Sequence, residues 1–190
     1  MKFSGHILLI AIPIFAFFVL LEYVYSLLKN DNRIHIIDII SSLSSGLTNV
    51  TKDTIGLGIG ILSYSWLLEK LAIIRIEETW LTYVVAFIAI DFQGYWSHRW
   101  NHRINILWNR HVVHHSSEYF NLACALRQPV SSIFALYTFL LIPAAILGVP
   151  NTVILILGPL HLYAQFWYHT TYIGKMGFLE KIIVTPSHHR

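Results

Sequence analysis

The stretch from His6 to Leu28 is a predominantly apolar run broken by Pro13 and Glu22, and as a helix rising about 1.5 Å per residue it covers the roughly 30 Å of a bilayer's hydrocarbon. Backbone groups in lipid must be satisfied within the segment, which admits a helix and excludes an open sheet or irregular loop. The run is longer than the apolar part of a cleaved leader, only Lys2 precedes it as a basic residue, and no clear small-residue cleavage site follows, so it reads as an anchor. A second helix is expected from near Ile36, rich in Ser, Thr and Gly through Thr54 and strongly apolar from Ile55 to Leu68. Small residues there suit close helix contacts. A third apolar segment runs from Trp80 to about Trp96, a fourth from Val130 to Leu147 and a fifth from Thr152 to about Tyr168. Only Gly148, Val149, Pro150 and Asn151 join the last two, which predicts a tight helical hairpin. Composition agrees: 55% of the 190 residues are hydrophobic, 12% are charged and the mean hydropathy is +0.58, where soluble domains carry roughly a quarter charged residues.

The expected fold is all-α, an integral membrane helical bundle with four to five transmembrane helices, four if the hairpin is re-entrant. With five crossings, Lys29, Arg33, Arg99, Arg103, Arg110, Arg127, Lys175, Lys181 and Arg190 share one side, against Lys2, Lys70 and Arg75 on the other. The first side is then cytoplasmic. A net charge of +3 is too small and scattered to argue for nucleic acid. The single Cys124 excludes a disulfide framework and a cysteine-ligated zinc or iron-sulfur site.

Eleven histidines in so apolar a chain are the anomaly. Five of them fall within His98–His115, where composition alone predicts about one. On a helix His98 and His102 lie on one face a turn apart, and the same holds for His111, His114 and His115. Asn105 to Asn109 is the expected bend that lets the two faces converge. His169 ends the fifth segment on the same predicted side, and His188 and His189 close the chain there. These eight imidazoles exceed the four that one tetrahedral zinc accepts, whereas two metal ions can use them all. Nitrogen ligands without Cys leave iron, zinc, copper and nickel open.

Three neighbours of this cluster are candidate catalytic residues. Asp91 lies two turns ahead of His98 on the same face, placed to hydrogen-bond a ligand imidazole and fix its tautomer. Glu118 and Asn121 follow His114 by four and seven residues, so a helix continuing through them aims both at the metals as weak or water-bridged ligands. The alternative for Glu118 is a solvated partner of Arg127 or Arg110. His161 shares a stripe with Gln165 and His169 but lies deeper in its segment, where an ionisable residue is usually functional or paired.

The boxes His98-Arg-Trp-Asn-His102 and His111-Val-Val-His114-His115, the Ser-Ser-Glu-Tyr-Phe-Asn-Leu-Ala-Cys-Ala-Leu-Arg-Gln that follows, Gln165-Phe-Trp-Tyr-His169-Thr170 and Thr185-Pro-Ser-His188-His189-Arg190 resemble the fatty acid hydroxylase and sterol desaturase superfamily. The likeness is greatest to its alkylglycerol monooxygenase-like branch and covers about Thr79 to Arg190. It divides the chain into N-terminal transmembrane helices, 1–78, and a histidine-box unit, 79–190. It implies a membrane-bound, histidine-ligated di-iron oxygenase that hydroxylates or desaturates a lipid C–H bond with O2, in the bacterial inner membrane or the endoplasmic reticulum, the boxes facing the cytoplasm. The implied ligands are His98, His102, His111, His114, His115, His169, and His188 or His189; the implied substrate is a fatty acyl chain, ether lipid or sterol. Electrons must come from outside, from a reductase, a haem-containing carrier or a reduced pterin, since Gly56, Gly58 and Gly60 lie in an apolar segment without the strand-turn-helix setting of a dinucleotide site. The family's third box continues past His-His-Arg to another His-His pair, so a chain cut short within that box is expected. Two rival readings are a truncated, inactive membrane scaffold with a partial metal site and a zinc hydrolase with Glu118 as general base.

Overall fold

The computed structural model describes residues 2–31, 33–129 and 136–189. Within them every regular element is helical. The long elements are α1, Lys2–Lys29, α2, Ile36–Leu71, α3, Trp80–Arg103, and α6, Asn151–Ala164; α4, Asn105–His111, α5, Ile142–Ile146, and α7, Pro186–His189, are short. The start of the expected fourth apolar segment, 130–135, lies outside the described residues.

Helix α2 is continuous through its Ser/Thr/Gly-rich half and runs about 54 Å at 1.5 Å per residue, well beyond a bilayer's hydrocarbon. Its two halves do different work. The apolar half supplies Tyr64 and Leu67 to a core shared with Ala86 and Ile90 of α3, Ala144 and Ala145 of α5, and Val149 and Val153. The polar half carries Asp38, Ser42 and Asn49, which reach the segment following the histidine boxes. Thr79 opens α3 by accepting a hydrogen bond from the Thr82 amide, and Thr82, Ala86 and Ile90 recur every four residues as its buried stripe.

That core is small, and large apolar side chains face outward along three helices: Phe17 is 60% exposed, Leu62 73% and Ile88 62%. A water-soluble domain keeps such bands covered. Among the described residues one helical segment, Ala11–Lys29, is long and apolar enough to cross a membrane by length and composition.

The expected hairpin forms between α5 and α6. At the turn, Gly148 has φ +71°, and a β-carbon there would stand 1.9 Å from the Ile74 carbonyl oxygen. The contact arises because the chain leaving α2 docks on the turn, Ile73 N donating to Ile146 O and Ile76 N to Gly148 O. Gly148→Ala therefore meets both a left-handed backbone and a backbone clash, and should cost at least about 2 kcal/mol; loss of the monodisperse detergent-solubilised species on size exclusion is the readout. Tyr64, 1% exposed, donates its hydroxyl to Val149 O at 2.9 Å on the same turn. Tyr64→Phe leaves that carbonyl unpaired and should lower stability by about 1–2 kcal/mol in denaturant titration.

With 14 residues, α6 reaches only about 21 Å. It is too short to cross alone, and it hands over to a 3-10 turn, Gln165–Tyr168, that ends at His169.

Candidate metal centre

His98 and His102 share a face of α3 as the spacing predicts, their Nε2 atoms 3.1 Å apart. The bend comes earlier than expected. Extended backbone at Ile104 ends α3, and Asn105–His111 is itself the short helix α4 rather than a loop. The turn folds α4 back against α3, which brings the His111 ring to within 4.9 Å of His98 and 4.8 Å of His102. Helix α4 stops at His111, and 112–115 form tight turns. The consecutive pair is thereby divided: His115 Nε2 lies 3.3 Å from His111 Nε2, whereas His114 Nε2 lies 3.1 Å from His169 Nε2 and 3.4 Å from His189 Nε2.

Two triads result, His98–His102–His111 and His114–His169–His189, each with its ligand atoms within 4.8 Å of one another. They adjoin, since the His111 and His114 rings stack at 5.4 Å. His188 does not join them. On the single turn of α7 it points about 100° away from His189, and it is exposed, with Nδ1 3.4 Å from the Thr185 hydroxyl.

The tautomers of the buried triad are set by the backbone. His114 Nδ1 donates to the Arg127 carbonyl at 3.0 Å and His169 Nδ1 to the Phe166 carbonyl at 3.2 Å. Each Nε2 then carries a bare lone pair, and the two lone pairs face each other at 3.1 Å. Without a cation that geometry is repulsive; with one it is a ligand set. The residues present fit a metal ion.

The Arg127 carbonyl is itself fixed by a buried ion pair. Arg127 Nη2 lies 2.8 Å from Asp38 Oδ1, both side chains being 12% exposed, and Nε and Nη1 donate to Ser42 and Ser116. Asp38 Oδ2 accepts from Ser117 at 2.6 Å and from Asn121 Nδ2 at 3.1 Å. From α1, Glu22 is 7% exposed and accepts from the Leu122 amide at 2.7 Å and from the Thr170 hydroxyl beside His169. Sequence reasoning gave neither Asp38 nor Glu22 a role. For Glu22 a signal was present, because a lone carboxylate in an apolar run is expensive unless it is used.

The three proposed catalytic side chains sit elsewhere than expected. Asn121, fully buried, caps the 3-10 turn Leu122–Leu126 by accepting from Ala123 N and holds Asp38. Glu118 is exposed. No helix continues from His114 to aim either at the cluster, because α4 ends at His111. Asp91 Oδ1 lies 3.1 Å from His161 Nε2, so its imidazole partner is His161 and not one of the clustered rings. Cys124 packs, 2% exposed, in the turn below Tyr119.

Burial pushes the clustered imidazoles toward the neutral form, and neighbouring rings add to the effect: His98 and His115 are held down at about 4, His169 at about 3. Their unfolded counterparts titrate near 6.5. Below that value the unfolded chain binds protons that the folded one resists, so folding stability falls as pH drops from about 6.5 toward 4 and is unaffected above. Metal-free protein should accordingly show a melting temperature that is flat above pH 7 and declines steadily below pH 6.5.

Fold and site together define an all-helical protein built around a convergent polyhistidine centre suited to metal. Residues 83–190 match the fatty acid hydroxylase family, and the chain belongs to that family. It is 39% identical over 183 residues to the alkylglycerol monooxygenase of Danio rerio and 38% identical over 183 residues to that of Homo sapiens, each covering 95% of this chain and 40% of the relative. The alkylglycerol monooxygenase of Caenorhabditis elegans is 29% identical over 163 residues, covering 85% of this chain and 32% of the relative. The chain thus spans about 40% of the length of the first two relatives. No solved structure matches it.

Proposed function

We propose that the protein is a membrane-bound, non-haem di-iron oxygenase that uses O2 to hydroxylate or desaturate a lipid C–H bond, with a glycerol ether lipid as the first substrate to test. The observation that carries this is the pair of adjoining histidine triads, whose buried members present bare Nε2 atoms to one another. The names of the relatives point to an alkylglycerol, and family membership to lipid oxidation.

His98, His102 and His111, with His115 beside them, would hold one iron, and His114, His169 and His189 the other. When bound, the iron pair supplies the activation of O2 and the oxidising power for C–H cleavage. The chain's own residues do the rest. Backbone carbonyls of Arg127 and Phe166 hold the Nδ1 protons and orient the rings. The Asp38–Arg127 pair and Glu22 keep those carbonyls and loops in place. Phe120 and Tyr168 pack on the His169 and His189 rings and keep water from that side. Holding the target carbon beside the site is where selectivity arises.

The unit at 79–190 carries the ligands, and 1–78 forms the membrane-embedded brace. The outward apolar bands on α1, α2 and α3 support three crossings, and the hairpin, whose turn docks at the far end of α2 on Ile73 and Ile76, supports two more. The basic residues around the boxes support a cytoplasmic-facing centre, in the bacterial inner membrane or the endoplasmic reticulum. An external reductase, haem carrier or reduced pterin supplies electrons. Full-length protein purified in detergent should hold two irons and, with reductant and O2, consume an alkylglycerol; absence of turnover across ether lipids, fatty acyl chains and sterols by correctly metallated protein rejects the reading.

A further inference from the structure

One polar constellation lies outside the histidine cluster. His161 of α6 stands 3.1 Å from Asp91 of α3 through Nε2, and Gln165, one turn on, places Nε2 3.0 Å from His161 Nδ1. The chain of bonds has a direction. The Gln165 amide donates to Nδ1, which leaves the proton on Nε2, and Nε2–H donates to Asp91 Oδ1. The site is built for this contact: a β-carbon at Gly94 would approach His161 Cε1 to 3.3 Å and Gln165 Nε2 to 3.7 Å, so glycine lets α6 come close enough to present the imidazole. Phe87 closes the ring's other side, edge to face at 5.5 Å.

The imidazole is nearly covered, 11% exposed, while the Asp91 side chain is 67% exposed. One carboxylate oxygen is therefore pinned and the other is open. Both residues sit within the apolar segments Trp80–Trp96 and Thr152–Tyr168, at a depth where an open carboxylate is expensive and usually functional. On α3 the carboxylate lies seven residues ahead of His98, about 10 Å along the helix from the cluster.

We infer that Asp91, pinned by His161 and Gln165, is a binding site for a hydroxyl group of the lipid substrate, accepting its hydrogen bond and setting how far along the chain the reactive carbon lies. The inference rests on the oxygenase reading for the lipid class. An acceptor-only group in an apolar setting needs a donor, and a hydroxyl supplies one without carrying a second charge into the bilayer. An alkylglycerol offers such hydroxyls close to its ether-linked carbon; an unsubstituted hydrocarbon chain does not.

The test is equilibrium binding of radiolabelled 1-O-hexadecylglycerol, and of its analogue with both hydroxyls methylated, to full-length, metal-free protein in nanodiscs. The free glycerol ether should bind about tenfold to a hundredfold more tightly than the capped analogue, the range expected for a hydrogen bond to a charged group. Asp91→Leu should erase that difference by weakening only the free form, with the capped analogue unchanged. His161→Phe should reduce the difference by leaving the carboxylate unpinned, and Asp91→Asn should restore part of it. Equal binding of both ligands to the parent protein overturns the inference even if no variant folds, as does an unchanged preference in Asp91→Leu, or tighter binding of hexadecylamine than of the glycerol ether. Iron content and turnover are measured separately on the metallated parent. Selective binding without turnover removes the oxygenase reading alone, and turnover without selective binding removes this one alone.

Discussion

The His114→Ala protein should lose the metal proposed for the His114–His169–His189 triad and at least about a hundredfold of the proposed lipid turnover, beyond the 10–100-fold that disturbing an outer partner of a ligand costs. His114 is the residue through which that triad is joined, its Nε2 lying 3.1 Å from His169 and 3.4 Å from His189. It is also the ring whose other nitrogen reads the position of the Arg127 carbonyl. Metal analysis and turnover on the same preparation check the prediction, and His188→Ala is the control, because that ring faces outward onto Thr185. A His114→Ala protein with full iron content would contradict the ligand assignment. So would loss of iron from His188→Ala at the same level.

The Arg127→Met protein should be less stable by about 3–5 kcal/mol, since the change strands the Asp38 carboxylate in a site 12% exposed. Its metal affinity should also fall about 10–100-fold, because the Arg127 backbone that orients His114 is no longer anchored to Ser42, Ser116 and Asp38. The double variant Arg127→Met/Asp38→Leu separates the two effects. It removes the stranded charge, so stability should largely return while the metal affinity stays low. Denaturant titration of the metal-free forms and competitive chelation of the loaded forms are the measurements. Full recovery of affinity in the double variant would show that the pair does not position His114.

The helical class, the i, i+4 pairing of His98 with His102 and the tight α5–α6 turn were legible because each depends on local spacing or local apolar content. What spacing could not supply was the path between elements. The bend falls at Ile104 instead of across Asn105–Asn109 because Asn105–His111 has no residue that breaks a helix, and α4 uses it. The helix expected to carry Glu118 and Asn121 toward the metals gives way to turns after His111, where Val112, Val113 and two serines favour helix weakly. Asn121 became a cap, the role its short amide plays best at the start of a turn. Asp91 found His161 because α3 and α6 pack side by side at Gly94, a tertiary fact that no spacing within α3 contains. Asp38 was invisible for the same reason: its partners are 79 to 89 residues away.

Glu22 carries a consequence for how the protein is made. It lies in α1, yet its hydrogen-bond donors are the Leu122 amide and the Thr170 hydroxyl, synthesised about a hundred and a hundred and fifty residues later. Until Leu122 is in place, α1 holds a carboxylate in an apolar run with neither donor to satisfy it, and until Thr170 follows one of its oxygens still lacks its partner. Insertion of α1 is therefore separated in time from its locking. The clasp closes only when His169, the neighbour of Thr170, arrives, so the step that secures α1 also brings the second member of the buried triad to His114, with His189 still to come.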